Sequence, residues 1–356
     1  MRITSSHNCR RHPTGSITHH SARVIRAGIL TLLALVLMLW GTCRAEPLTV
    51  GFLAGGGGLG DQSYNDMTWI GLAKAREQYG IRLIYAPVEE NDASRTEALD
   101  TLLSAGATAV VCNGAGLLPL IKSVASQHPE VTFIINDHLI QGYDNIVSTT
   151  FANHEGSFLA GVLAGAMTKT RRIGFIGGVR MCAIRSFHMG FTQGVRFANP
   201  QATVITRYIA EAGDYSGFSN PDAGYALADA LYSQGTDIIY AVAGLSGNGV
   251  IQAARTHNRY VIGVDADQDH MARGLVLTSM MKRLDRASLM EVEKILSRRF
   301  QPGESPYNLK NGGVSLSPMR FTRDLIPEAI HRQLKLAESD IISGKLTVHR
   351  CEEAAP

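Results

Sequence analysis

Eight short apolar runs, each about one strand long, recur along this chain with helical patterns between most of them. That alternation constrains the fold more than any other feature. The runs fall at 48–54, 81–86, 107–112, 131–135, 172–176, 203–209, 237–242 and 259–264, and the helical patterns include 94–104, 117–126, 154–167, 223–233 and 249–256. Strands that are apolar almost without interruption are buried on both faces, which implies a parallel sheet covered by helices on each side. Three architectures satisfy this: one large doubly wound sheet, an eightfold barrel, or two Rossmann-like lobes. An internal likeness favours the lobes. Residues 83–116 read strand, helix, then GATAVVCNGAG, and residues 205–244 end in QGTDIIYAVAG. Each is a helix, a turn, an apolar strand, and a glycine at the strand's carboxyl end. The expected fold class is α/β, two Rossmann-like lobes with parallel sheets joined by a hinge.

The first 45 residues stand apart from this pattern. They carry six arginines and no acid, and an apolar run at 29–40 follows Arg26. The run is too short to span a bilayer as a helix, and Cys43-Arg44-Ala45 loosely matches a small-x-small cleavage site, so a secretory signal cleaved after Ala45 is expected. An uncleaved membrane anchor would carry the same run. A lipidated Cys43 is a third reading, although Thr42 stands where Gly, Ala or Ser is expected. The whole chain has 34 Lys and Arg against 31 Asp and Glu; without the six arginines the balance is 28 to 31. The basic character belongs to the signal, and nucleic-acid binding is not expected. Three cysteines remain beyond it, Cys112, Cys182 and Cys351. Cys112 reads as a small buried residue at a strand end. One bridge at most is possible, and spacing does not choose it.

Open α/β sheets hold ligands beyond the carboxyl ends of their strands, and this chain places polar or aromatic residues there repeatedly. The first strand runs into Gly55 to Gly58 and Gly60, then Asp61, Ser63, Tyr64 and Asn65, where a helical pattern begins. Glycine lets backbone approach a bound molecule, and a helix amino-terminus supplies unpaired N–H groups. Asn113-Gly114, Asn136-Asp137-His138, Gly244 to Gly249 and Asp265-Ala266-Asp267-Gln268 follow other strands. Taken singly, each is more often a turn or a helix cap than a binding residue. Acids at two ends, Asp137 and Asp265, suit the paired hydroxyls of a sugar.

The segments GLGDQSYNDMTWIGL, FANHEGSFLAGVLAGAM, IGFIGGVRMCAIRSFHMGFTQGV, YAVAGLSGNGVIQAA, VIGVDADQ and LTSMMKRLDRA together resemble the BMP family (basic membrane protein, PnrA-like) over about residues 48–315. The resemblance implies the two-lobe periplasmic-binding fold of type I with three hinge crossovers. It further implies an exported solute-binding protein of an ABC transporter, periplasmic and monomeric, that hands its ligand to an inner-membrane permease. Characterised members mostly take purine nucleosides. By the same likeness, Tyr64 stacks on the base while Asp61 and Asn65 make polar contacts, Asp137 is a further acid, Phe218 is a second aromatic, and Gly244 follows the VAG strand. Asp265 takes the ribose hydroxyls and Lys282 a polar group nearby. Tyr64 replaces a phenylalanine of the family pattern, and Asn220 an aspartate. The lobes implied are 46–152 with 277–310, and 153–276 with 311–356. Lys282 also reads as a solvated lysine at a helix start, and Phe187, spaced with Ile184 and Phe191, reads as core.

Stacking is worth about 1–3 kcal/mol per base, whereas the slightly acidic part beyond residue 45, presenting Asp residues, disfavours phosphate. No catalytic residue, metal or cofactor is expected. Gly55, Gly57 and Gly60 satisfy a dinucleotide fingerprint with Glu89 or Glu90 as the later acid, but an exported protein lacks a ready supply of reducible cofactor. Asp265, Asp267 and Asp269 open like a calcium loop that then fails, with His270 at the required glycine and Val276 at the required glutamate. A ligand sensor of the same fold and a nucleoside hydrolase compete with the transport role for the same residues.

Overall fold

The computed structural model describes residues 47–89 and 91–352. The signal expected at 1–45 with Cys43, the residue Glu90, and the end of the chain at 353–356 lie outside the described residues.

Two six-stranded sheets form, and the same connectivity generates both. In the first, β1 (Thr49–Leu53), β2 (Arg82–Ala86), β3 (Ala109–Asn113), β4 (Thr132–Asn136), β5 (Ile146–Phe151) and β11 (Gly303–Tyr307) lie in the order β11-β5-β4-β3-β1-β2, all parallel. In the second, β6 (Arg172–Val179), β7 (Thr203–Ala210), β8 (Ile238–Val242), β9 (Tyr260–Asp265), β10 (Val276–Lys282) and β12 (Val314–Leu316) lie in the order β12-β10-β9-β8-β6-β7, with β12 alone antiparallel. The two orders superimpose strand for strand, which excludes the barrel and the single sheet. The repeated unit seen in the sequence is β2, helix, β3 in one lobe and β7, helix, β8 in the other.

Helices α1 (Tyr64–Tyr79), α2 (Asp92–Ser104) and α3 (Leu118–Val124) follow strands of the first sheet. Helices α4 (Asn153–Met167), α5 (Cys182–Ala198), α6 (Pro221–Ser233) and α7 (Ser246–His257) belong with the second. Then α8 (Leu284–Leu296) returns to pack on α1, and α9 (Glu328–Ile342) closes against α4. The chain therefore crosses between lobes three times, after β5, after β10 and after β11.

One expected boundary needs correction. The implied lobes put residues 277–282 in the first, but these residues belong to β10, hydrogen-bonded to β9 and β12 of the second sheet. The crossover follows Lys282 instead. VLTSMMK fits a buried strand in either sheet, and only its pairing places it.

The GxxxG-like glycines of α4 and α5 have a packing reason. A Cβ at Gly161 would stand 2.1 Å from the carbonyl oxygen of Phe191, and one at Gly194 would stand 2.0 Å from that of Phe158. These helices meet backbone to backbone, a separation closed to any larger side chain.

Cys182 and Cys351 are bridged, and Cys112 is free and buried. The pairing left open by the sequence is settled by tertiary placement. The tail after α9 runs along α5, held by hydrogen bonds from Gln193 Nε2 to His349 O (2.8 Å) and from Cys351 N to Ser186 Oγ (3.1 Å). The bridge spans 169 residues. Cys351→Ser is expected to lower the unfolding free energy in urea by about 2–4 kcal/mol; an unchanged midpoint and slope would show that the tail contributes nothing.

Candidate functional site

All eight residues singled out from the sequence line one cavity: Asp61, Tyr64, Asn65 and Asp137 from the first lobe, Phe218, Gly244, Asp265 and Lys282 from the second. Its atom-free space is about 650 Å³, part of it open at the mouth. It is built from strand ends. β4 and β9 occupy equivalent places in the two sheets; Asp265 ends β9, and Asp137 directly follows the last residue of β4. Both have left-handed backbone, with φ of 72° at Asp137 and 65° at Asp265, a conformation that costs a non-glycine residue energy and that clusters at functional sites.

Lys282 joins this pair. It ends β10 and is 2% exposed, so it is not a solvated lysine at a helix start. Its ammonium donates to Asp137 Oδ2 and lies 3.9 Å from Asp265 Oδ1. Three rings surround it, with centroids at 4.9 Å (Phe187), 5.1 Å (Tyr64) and 5.6 Å (Phe151). Cation–π attraction and the two carboxylates together offset the cost of burying the charge. Phe187, expected to be core, is both core and cavity wall.

The two acids respond differently to the same lysine. Burial pushes Asp137 up, but the Lys282 charge, His138 and hydrogen bonds from Lys282 and Asn153 outweigh it, holding its pKa below the ordinary value. At Asp265 burial prevails over Lys282 and the Ser63 hydrogen bond, and the pKa is raised. The difference follows from distance, since the ammonium contacts Asp137 directly. Tyr64 is held protonated, first by burial and then by the surrounding acids.

Asp61 and Asn65 have a structural job that their motif does not announce. Asp61 Oδ1 accepts from the N–H groups of Ser63 (2.9 Å) and Asp66 (3.1 Å), and Oδ2 from that of Asn65 (2.8 Å). It therefore satisfies the orphan donors that open α1. Burial nonetheless raises its pKa to about 6, against the downward pull of those three N–H groups. Asn65 Oδ1 accepts from Gly55 N and from Asn113 Nδ2, both at 3.1 Å, and so pins the glycine loop to β3. Beneath the loop, Asn113, Asn136, Thr68 and Thr149 form a fully buried polar network. Asn113 and Asn136, conspicuous in the sequence at the ends of apolar runs, hold the strand ends in register.

Tyr64 presents its ring to the cavity while its hydroxyl donates to Asn136 O (3.1 Å). That hydroxyl is what Tyr adds where the family pattern has Phe, and it is engaged inside the protein. Across the cleft, Phe218 lies on Gly178, where a Cβ would stand 2.5 Å from its ring. Sequence reasoning missed Met181, Ala183 and Ile184, which form the wall at the start of α5. They are small or apolar and carry no chemical signal. Ser63, visible in the motif but unassigned, donates to Asp265 Oδ2 at 2.7 Å.

Comparison with known proteins defines the class. A family model described as ABC transporter substrate-binding protein PnrA-like matches residues 49–349. This chain belongs to that family, whose members bind small molecules and serve a membrane permease. Relatives include the CD4+ T-cell-stimulating antigen of Listeria monocytogenes, 32% identical over 83% of this chain and 88% of the relative. Another is the ABC transporter nucleoside-binding protein BmpA of Lactococcus lactis, 32% identical over 82% of this chain and 86% of the relative. Among solved structures, an ABC transporter solute-binding protein from Aeropyrum pernix shares the fold, with a TM-score of 0.78 at 23% identity, covering 85% of this chain and 93% of that one.

Proposed function

We propose that this protein captures a purine nucleoside between its lobes and delivers it, chemically unchanged, to an ABC permease. The observation that carries this reading is the cavity's composition: an aromatic from each lobe, Tyr64 and Phe218, and a lysine between two carboxylates, all lining one space. The rings provide flat faces for a base. Asp265, with Asp137 and Lys282 beside it, provides acceptors and a donor for adjacent sugar hydroxyls. Three carboxylates against one ammonium among the described lining residues disfavour a phosphate. The name of the Lactococcus relative, a nucleoside-binding protein, supports nucleoside as the ligand class. The Cys182–Cys351 bridge fits an oxidising compartment and so supports export.

The test is mass spectrometry of small molecules released from freshly purified protein, followed by calorimetric titration with inosine, guanosine, adenosine, cytidine and uridine. Micromolar or tighter binding of at least one purine nucleoside is the expected result, with the nucleoside recovered intact. Failure of all five to bind would overturn the ligand class, and free base released at a catalytic rate would overturn the receptor role.

A further inference from the structure

Hydrogen bonds outside the cavity also join the two lobes, and we propose that they form a latch that sets how fast ligand leaves, with Gln268 as its central positioning residue. The inference rests on the clamp reading above but not on which molecule the clamp holds.

The first lobe contributes Gln62, an exposed residue between the glycine loop and α1 with a left-handed φ of 53°. Its backbone carbonyl accepts from Gln268 Nε2 at 3.1 Å, and its side-chain Oε1 lies 2.9 Å from His270 Nε2, which donates to it. These partners are 206 and 208 residues apart, on opposite lobes. Neither Gln62 nor Gln268 nor His270 lines the ligand cavity.

Gln268 is placed by more than this contact. It is 2% exposed, its Oε1 accepts from Val264 N (3.0 Å), and its own N–H donates to Ser279 Oγ (3.1 Å). Gly263, in the middle of β9, makes room for it: a Cβ there would stand 2.4 Å from the Gln268 Oε1. One buried amide therefore grips the backbone just before Asp265 and, across the cleft, the loop just before Tyr64. Closing the lobes and presenting Asp265 are mechanically one event.

The bonds to Gln62 exist only while the lobes meet. Exchanged for water on opening, each shifts the closed–open balance by about fivefold. Ligand escapes from the open clamp, so weakening the latch raises the dissociation rate, whereas the association rate, set by the open form, stays nearly constant.

Three variants separate these roles. Gln62→Gly keeps the carbonyl and tolerates the left-handed backbone but removes the side chain; His270→Ala removes its partner; Gln268→Met keeps the length without either hydrogen bond. In stopped-flow fluorescence with inosine, each of the first two is expected to speed dissociation about fivefold, and their combination no further. Gln268→Met, which loses one bond across the cleft, is expected to speed it about fivefold. Association should stay within twofold, and the inosine-to-guanosine affinity ratio should not move, since no ligand contact is lost. Unchanged dissociation rates, or an affinity loss carried by slower association, would overturn the latch. If wild-type protein binds none of the five nucleosides, the nucleoside reading fails while the latch is still tested. Spin labels at Glu97→Cys and Arg207→Cys, one per lobe, should then report longer distances in Gln268→Met, and identical distance distributions would refute it.

Discussion

Asp265→Asn is expected to weaken purine-nucleoside binding by roughly 100-fold, and Asp265→Ala by at least as much. The carboxylate is 5% exposed and sits at the shared face of both lobes, with one oxygen engaged by Ser63 and the other turned toward Lys282. Hydrogen bonds to a charged group are worth about 1.5–3 kcal/mol each, so losing the charge-assisted bonds to two adjacent hydroxyls removes about 3 kcal/mol, or two decades in affinity. Asparagine preserves volume and tolerates the left-handed backbone, which isolates the charge from the fold. Lys282 keeps Asp137 as its partner in either variant, so the site does not gain a lone buried cation. Calorimetric titration measures the loss, and a thermal melt confirms folding. Affinity within threefold of wild type would remove Asp265 from the sugar-binding role.

Gly194→Val should leave little folded protein, or lower the melting temperature by more than about 10 °C. The added carbons would meet the α4 backbone, where a Cβ already falls 2.0 Å from Phe158 O. Overpacking a rigid contact costs about 1–3 kcal/mol, more where backbone must move, and a domain of this size shifts by roughly 2–4 °C per kcal/mol. Neighbouring contacts at Gly161 and Gly190 must shift in concert, which carries the cost beyond a single site. Gly247→Ala is the matched control. Its Cβ would find nothing nearer than 3.9 Å and would raise helix propensity in α7. Equal melting temperatures for the two variants would show that the α4–α5 interface yields more easily than its spacing implies.

Much of this molecule is legible without any coordinates. The period of the apolar residues marks strands and helices because burial on two faces leaves its signature locally. Eight of the twelve strands among the described residues are read in this way. β5 and β10 escape it, since IVSTTF and VLTSMMK mix threonine, serine and lysine into the run; Ser148, Thr149, Thr278 and Ser279 are fully buried nonetheless. Their polar groups are satisfied by partners distant in sequence, such as Ser317 for Thr278. The short strands β11 and β12 carry Pro306 and Gly303 or only three residues, and exist through pairing with a neighbour.

The cavity residues are legible for a different reason. A parallel strand must end in something polar if it ends at a ligand, and the resemblance to a known family chooses among those ends. It does not reveal what each residue does for the protein itself. Asp61 closes the start of α1, Asn65 ties down the glycine loop, and the hydroxyl of Tyr64 is engaged by Asn136.

By itself the sequence determined the class of fold, the duplication of one connectivity, and the strand ends at which chemistry gathers, because period and turn chemistry act over a few residues. Tertiary structure alone decided that β10 joins the second sheet, that Cys182 finds Cys351, and that Lys282 is caged between two acids and three rings. Cys182 and Cys351 lie 169 residues apart and Lys282 and Asp137 145 apart, while β10 could have paired in either sheet. No local pattern records that choice, since it is made by packing and hydrogen-bond satisfaction across the whole chain.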